Sequence, residues 1–275
     1  MRSKLAPLWN IHRSVEILRC VRETDQWLPV TGAYLGFHKL RYPYSLHIRG
    51  MQPVILQEVS DVWAFWQIFM RRVYDVAGDE ETIVDAGANI GFFTLWAARL
   101  APNSRVFAIE PVPESYRRLC ENVNRNGLEH RVTCLNCALG GVAETRMVKV
   151  GKARSQAQRV VAFDPKSQVT FASVATETLV NILDNQGIKT IDLLKMDIEG
   201  GEYETLFSVP PETLRRIRRV TLEYHPDVEG YTTGQLLTFF QGSGFTLKRN
   251  ICNREGYGLA LLENGSATHS SRKAS

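Results

Sequence analysis

The chain has 275 residues, 44% of them apolar, with 33 basic and 29 acidic side chains and a formal net charge of +4. That balance fits an ordinary globular protein long enough for one sizeable domain and an appendage, and its weak, evenly spread charge predicts no nucleic-acid partner. Five cysteines argue against a disulfide framework, no apolar run is long enough to span a membrane, and charges interrupt the N-terminus where a signal peptide needs its apolar core. A reducing cytoplasm is the expected location.

Residues 1–80 read as an N-terminal α/β appendage of helices and short strands. His12–Arg22 is predicted as a short amphipathic helix, and Leu46–Arg49 and Val54–Val59 as strand-like segments. A helix is predicted over Asp61–Tyr74, with Asp61 as N-cap and Val62, Phe65, Trp66, Phe69, Met70 and Val73 on one face. Core packing is the plain reading of that aromatic stripe, and a lid over a substrate pocket is the alternative.

From residue 81 to 263 the pattern becomes a regular alternation. Predicted strands are Thr82–Asp85, Arg105–Ile109, Arg131–Cys137, Ile191–Met196 and Arg219–Tyr224. Predicted helices are Ile90–Leu100, Glu114–Asn126, Glu177–Gln186, one starting near Gly201, and Gly234–Gln241. Such alternation specifies an α/β fold with a doubly wound, mostly parallel sheet covered on both faces. Cys134 and Cys137 form a CxxC, but inside a strand-like alternation with no second CxxC and no His pair nearby, so a metal or redox role is not expected. Residues 140–175 lose the rhythm and suggest a hairpin or mobile excursion. Phe245–Ile251 and Tyr257–Glu263 read as a closing antiparallel hairpin, and residues 264–275 as a disordered tail.

The sharpest motif is Asp85-Ala-Gly-Ala-Asn-Ile-Gly91, where a strand becomes a helix. Gly87 allows a tight turn and close approach of a ligand to the backbone, and Gly91 allows close helix packing. A dinucleotide fingerprint would place glycines at 87, 89 and 92, whereas Asn89 and Phe92 stand at the last two, and no P-loop lysine follows. Glu110 ends the second strand 25 residues after Asp85. An ionised carboxylate there can accept both hydroxyls of a ribose. Ribose capture without a pyrophosphate cradle points to S-adenosyl-L-methionine.

The segments VDAGANIGFFTLWAA, AIEPVPESYRRLCENVNRNG, NCALG and IDLLKMDIEGGEYETL together resemble the FkbM-type family of S-adenosylmethionine-dependent methyltransferases. The likeness runs over about residues 40–262 and extends upstream to SDVWAFWQIFMRRVYD. It implies a seven-stranded Rossmann-like sheet in the order 3-2-1-4-5-7-6 with strand 7 antiparallel. It also implies O-methylation of a sugar, glycolipid or natural product, hence a small-molecule or saccharide acceptor. One departure is Leu179–Val180, where the family usually has Leu-Asp.

Ligands of an open parallel sheet lie at the carboxyl ends of its strands. That rule and the resemblance place the cofactor on Asp85, Gly87, Ala88, Asn89, Gly91, Glu110, Pro111, Asn136, Ala138 and Asp197. A sulfonium donor needs little activation, so the enzyme must align the acceptor and remove its proton. His225 and Asp197, on neighbouring strand ends, are the candidate catalytic residues. Asp197, Glu199, Glu223 and His225 could also hold Mg²⁺ or Mn²⁺. The plain alternatives are a helix cap for Asp197, a favourable dipole contact for Glu202 and a turn role for His225. Rival functions are an RNA methyltransferase, an NAD-linked oxidoreductase and a non-catalytic module that kept the fold. Homo-oligomerisation is compatible with the sequence.

Overall fold

The computed structural model describes residues 6–150, 170–225, 230–253 and 257–265. The middle of the 140–175 excursion, part of the NREG link and nearly all of the predicted tail lie outside them. Contacts divide the chain into one unit of residues 1–74 with 124–127, and a second of 75–123 with 128–275. Among the described residues no helix is long and apolar enough to cross a membrane.

The first unit holds helices α1 (Ala6–Glu23) and α2 (Trp27–Tyr34), a hairpin of β1 (Tyr44–Leu46) and β2 (Val54–Leu56), and helix α3 (Val59–Phe65). The predicted Asp61–Tyr74 helix needs correction at both ends. Glu58 is the N-cap, and Asp61 sits at the third helical position, closing a reciprocal capping box. After Phe65 the helix widens into a π-turn over Trp66–Arg71 and stops at Arg72, which adopts left-handed backbone (φ 54°). The widened turn still buries Trp66, Phe69 and Met70 beside Val62 and Phe65. Trp66 stacks on Tyr34 at 4.1 Å and donates its indole N–H to Glu16 at 2.6 Å, so its polar edge is satisfied inside the core.

The second unit is built on β3 (Thr82–Ala86), α4 (Phe92–Leu100), β4 (Arg105–Ile109), α5 (Pro113–Arg125) and β5 (Val132–Leu135). Three further strands follow: β6 (Ala138–Leu139), β7 (Glu144–Val150) and β8 (Thr170–Glu177). The chain then runs through α6 (Leu179–Asn185), β9 (Ile191–Met196), α7 (Glu202–Phe207), α8 (Pro211–Leu214), β10 (Ile217–Tyr224), α9 (Thr233–Gly242), β11 (Phe245–Cys252) and β12 (Gly258–Asn264). Seven strands form one sheet in the order β5-β4-β3-β9-β10-β12-β11, which is 3-2-1-4-5-7-6 when its strands are counted along the chain. β12 is antiparallel to both neighbours, while β10, β9, β3, β4 and β5 are parallel.

Strand alternation sorts side chains onto two faces. Val84, Ala86, Leu194, Met196, Val220 and Leu222 bury one face against Leu183 of α6, Leu206 of α7 and Phe240 of α9. Their neighbours in sequence, Asp85 and Lys195, point to the other face, where α4 lies. The predicted Arg131–Cys137 strand ends early. β5 stops at Leu135, and Ala138–Leu139 pairs instead with β8 in a separate three-stranded sheet ordered β6-β8-β7. The break falls at Asn136, whose side chain is occupied elsewhere. The rhythmless 140–175 segment contains a hairpin, with Glu144 opposite Thr176 and Val150 opposite Thr170.

Candidate active site

The glycine turn is held from both sides. The N–H groups of Gly87 and Ala88 both donate to the Ile109 carbonyl, at 3.0 and 2.9 Å. Gly87 has φ 79°, and a Cβ there would sit 1.8 Å from the Asp197 carbonyl oxygen. Gly87 therefore serves the junction of β3 with β9 as much as any ligand. At Gly91 the missing side chain leaves room for Leu119 of α5, whose Cδ1 would lie 2.7 Å from a Cβ.

Glu110 ties two loops together. One carboxylate oxygen accepts the Asn89 N–H at 2.8 Å and the other the Val112 N–H at 2.9 Å. Each oxygen keeps acceptor capacity for a ligand hydroxyl. Burial pushes the Glu110 carboxyl up to about 7, against the opposing pull of those two N–H groups and of Lys195. Asn136 donates its amide to the carbonyls of Glu110 and Pro111 at 2.8 and 3.1 Å, fixing the loop after β4. Pro111 is half-buried and Ala138 is buried in the small sheet.

Beneath the turn lies an ion pair absent from the sequence-based expectations. Asp85 is wholly buried, accepts a hydrogen bond from the Thr94 hydroxyl at 2.6 Å, and stands 3.0 Å from the Lys195 ammonium. Lys195 also donates to the carbonyls of Gly87 and Ala86, at 2.8 and 3.2 Å. Burial alone would lower its pKa, but Asp85, Asp197 and Glu223 outweigh that, and the ammonium lies above its ordinary value. Asp85 thus supports the turn from below, shielded from solvent. A lone lysine in the apolar run IDLLKM is the signal that the sequence offers for it.

A second cluster gathers at the ends of β9 and β10. Asp197 is pinned through its N–H to the Ala86 carbonyl at 3.1 Å. Asp197, Glu223 and His225 each offer a donor atom within 4.8 Å of the others, and Glu199 is not part of that trio. Both nitrogens of His225 face acids, with Nδ1 3.0 Å from Glu202 and Nε2 3.2 Å from Glu199. Burial works to lower the pKa of His225, but those two carboxylates prevail and raise it to about 11. Glu199, with left-handed backbone (φ 56°), is itself raised by burial, a shift that His225 partly offsets. Tyr203 donates its hydroxyl to the His225 carbonyl at 2.9 Å, and the Tyr257 ring meets the imidazole edge-on at 5.6 Å.

The structure therefore arranges the predicted residues in two groups. Gly87, Ala88, Asn89, Glu110, Pro111 and Asn136 form one, and Asp197, Glu223, His225 and Glu199 the other, with Lys195 between them. The CxxC contributes its inner residue Asn136 to the first group, but its thiols are not activated. Burial is the main force driving its two thiols up, Cys137 to about 11 and Cys134 to about 12, so neither is a thiolate at neutral pH.

This strand order, with a glycine turn after the first strand and an acid after the second, defines a class I methyltransferase-type Rossmann-like domain. The methyltransferase FkbM domain model matches residues 85–247, and the chain belongs to that family. It is 29% identical over 197 residues to the methyltransferase sdnD of Sordaria araneosa, covering 61% of this chain and 76% of that protein. It is 29% identical over 212 residues to the 31-O-demethyl-FK506 methyltransferase FkbM of Streptomyces tacrolimicus, covering 66% and 80%. The hexuronic acid methyltransferase AglP of Haloferax volcanii is 23% identical over 239 residues, covering 81% of this chain and 89% of its own length.

Proposed function

We propose that this protein is an S-adenosylmethionine-dependent O-methyltransferase acting on a hydroxyl of a small molecule or saccharide. The observation that carries the reading is Glu110, buried at the end of β4 and held by the Asn89 and Val112 N–H groups with acceptor capacity to spare. That is the arrangement a ribose needs. Asn89 and Phe92 in place of glycines disfavour a dinucleotide pyrophosphate and hence a hydride-transfer enzyme. Two relatives are named for 31-O-demethyl-FK506 and for a hexuronic acid, which supports an oxygen acceptor over an RNA base.

The cofactor, when bound, supplies an activated methyl group. The chain's own task is to position that group, exclude water and take a proton from the acceptor. Asp197 follows directly on β9 and its backbone touches the glycine turn, so we assign it proton removal. His225, whose pKa Glu199 and Glu202 raise to about 11, already carries its proton at neutral pH, so the structure corrects the expectation of a base there and leaves it an orienting role. Asp197→Asn is expected to lower kcat about 10²–10⁴-fold while adenosylhomocysteine affinity changes far less. Single-turnover kinetics beside titration calorimetry would show the split, and equal losses in both would remove Asp197 from the chemistry.

Glu110→Gln tests the cofactor reading directly. Its loss of charge-assisted hydrogen bonds should weaken adenosylhomocysteine by about 2–3 kcal/mol. The pH dependence has a definite sign. The carboxyl titrates near 7 in the folded protein, and only its ionised form can accept both ribose hydroxyls with charge assistance. Affinity should therefore rise as pH increases toward and past 7 and level off above, with proton release on binding below it. Calorimetry in buffers of different ionisation enthalpy measures that release. A flat profile, together with unchanged affinity in a folded Glu110→Gln variant, would overturn the assignment.

A further inference from the structure

We propose that Asp197, Glu223 and His225 form a site for one hard divalent cation, Mg²⁺ or Mn²⁺. The proposal rests on the methyltransferase reading for what the cation does there, though not for its binding.

The backbone builds the trio. β9 and β10 are adjacent and parallel, with Met196 opposite Leu222, so Asp197 and Glu223 leave the sheet side by side. His225 follows Glu223 by two residues and returns to the same side. The three donor atoms lie within 4.8 Å of one another. Donors around one such ion, at about 2.0–2.2 Å each, stand up to roughly 4.4 Å apart, so only a small contraction is needed. Two carboxylates with one imidazole, and no thiolate in the set, suit Mg²⁺ or Mn²⁺.

A second observation points to the same use. Glu202 is fully buried, and its Oε1 lies 3.0 Å from His225 Nδ1. The same oxygen accepts the Ile198 N–H at 3.2 Å, while Oε2 has no hydrogen-bond partner among the described residues. A carboxylate on Nδ1 fixes the ring's orientation, and Nε2, which meets Glu199 at 3.2 Å, becomes the ligand when the cation displaces its proton. The Tyr203 hydroxyl on the His225 carbonyl holds the backbone in place behind it. Asp197, Glu199, Glu202 and Glu223 surround this one imidazole, and the neighbouring Lys195 is already paired with Asp85. Such an excess of negative charge in a largely buried place calls for a cation.

Three protein ligands leave open positions, one of which fits the acceptor's hydroxyl oxygen and would ease loss of its proton. Asp197 then serves proton removal through the cation it helps to hold, and the loss of turnover in Asp197→Asn includes the loss of that ligand.

The test uses the full chain, stripped with a chelator and titrated with Mn²⁺ while free Mn²⁺ is followed by electron paramagnetic resonance. About one Mn²⁺ per chain is expected, displaced by excess Mg²⁺. Affinity should fall at least about tenfold in Glu223→Gln and in His225→Ala, and about 10–100-fold in Glu202→Gln. Adenosylhomocysteine should bind the stripped protein and all three variants, which keeps the two readings separate. Failure of the folded chain to bind Mn²⁺ at millimolar concentration, or binding indifferent to Glu223→Gln and His225→Ala, would overturn the site. Mn²⁺ binding without adenosylhomocysteine binding would uphold the site and overturn the cofactor reading.

Discussion

Gly87→Ala is expected to cost at least about 3 kcal/mol of stability and to weaken adenosylhomocysteine binding more than about 100-fold. Two costs combine. The backbone there has φ 79°, which a residue with a Cβ adopts only at about 1–2 kcal/mol. The greater cost is steric, since the new carbon would lie 1.8 Å from the Asp197 carbonyl oxygen and 2.8 Å from its carbon. Backbone cannot swing aside as a flexible side chain can. The ends of β3 and β9 must separate, straining the Asp197 N–H bond to Ala86 and the Lys195 bond to Gly87. At about 2–4 °C per kcal/mol for a domain of this size, melting should fall by about 6–12 °C. Gly187→Ala is the control. That glycine has φ 63°, and a Cβ added to it would meet nothing within 4 Å. Only the conformational cost of about 1 kcal/mol then applies, and affinity should not change. Equal, small effects in the two variants would show that the turn does not depend on this contact.

How far the residues themselves reveal the fold varies by element. Ile191–Met196 and Arg105–Ile109 are legible to the residue because each is an apolar run closed by a charge or a turn. The end of β5 is not, because RVTCLNCAL alternates smoothly through Asn136. Only the tertiary bonds of that side chain to Glu110 and Pro111 show why the chain leaves the sheet there. The π-turn is hidden for a similar reason. Trp66, Phe69 and Met70 satisfy an α-helical stripe as well as the wider one, and what distinguishes them is the partner that each finds. The strand order comes with the family resemblance and not from periodicity, which fixes neither neighbours nor order.

The site shows the same division. Gly87 and Glu110 stand out because a glycine turn and a strand-end acid have few plain explanations when they occur at this spacing. From sequence alone His225 is expected at the strand-end rim beside Asp197 and Glu223, where it lies, but Glu199 and Glu202 reach it from the loop before α7 and from the start of that helix. In the sequence, Glu202 offers no more than a favourable charge at a helix start. Local sequence cannot distinguish an acid that faces water from one that is fully buried against an imidazole. Burial decides which, and burial is a property of the assembled unit.

Lys195→Met is expected to be the most destabilising of these single substitutions, at about 3–5 kcal/mol, the scale for leaving one partner of a buried pair uncompensated. Lys195 is 3% exposed and Asp85 0%, so water cannot replace the lost ammonium. Three acceptors lose their donor together: the Asp85 carboxylate and the carbonyls of Ala86 and Gly87. Because the Lys195 pKa is raised in the folded protein, its contribution is complete below the ordinary lysine value and is lost only as pH climbs through the folded one. The pair is therefore intact across the neutral range, and the variant's defect should not depend on pH there. Asp85→Asn keeps an oxygen for the Thr94 hydroxyl but strands the ammonium. Adding Lys195→Met to Asp85→Asn removes both charges, so the double variant should lose less than the sum of the singles by at least about 1 kcal/mol. Urea unfolding of the three variants measures that coupling. The singles should also bind adenosylhomocysteine more weakly, since Lys195 holds the Gly87 carbonyl from beneath. Strictly additive stabilities would mean that the charges do not act as a pair, and the support of the glycine turn would have to come from Thr94 and the backbone bonds alone.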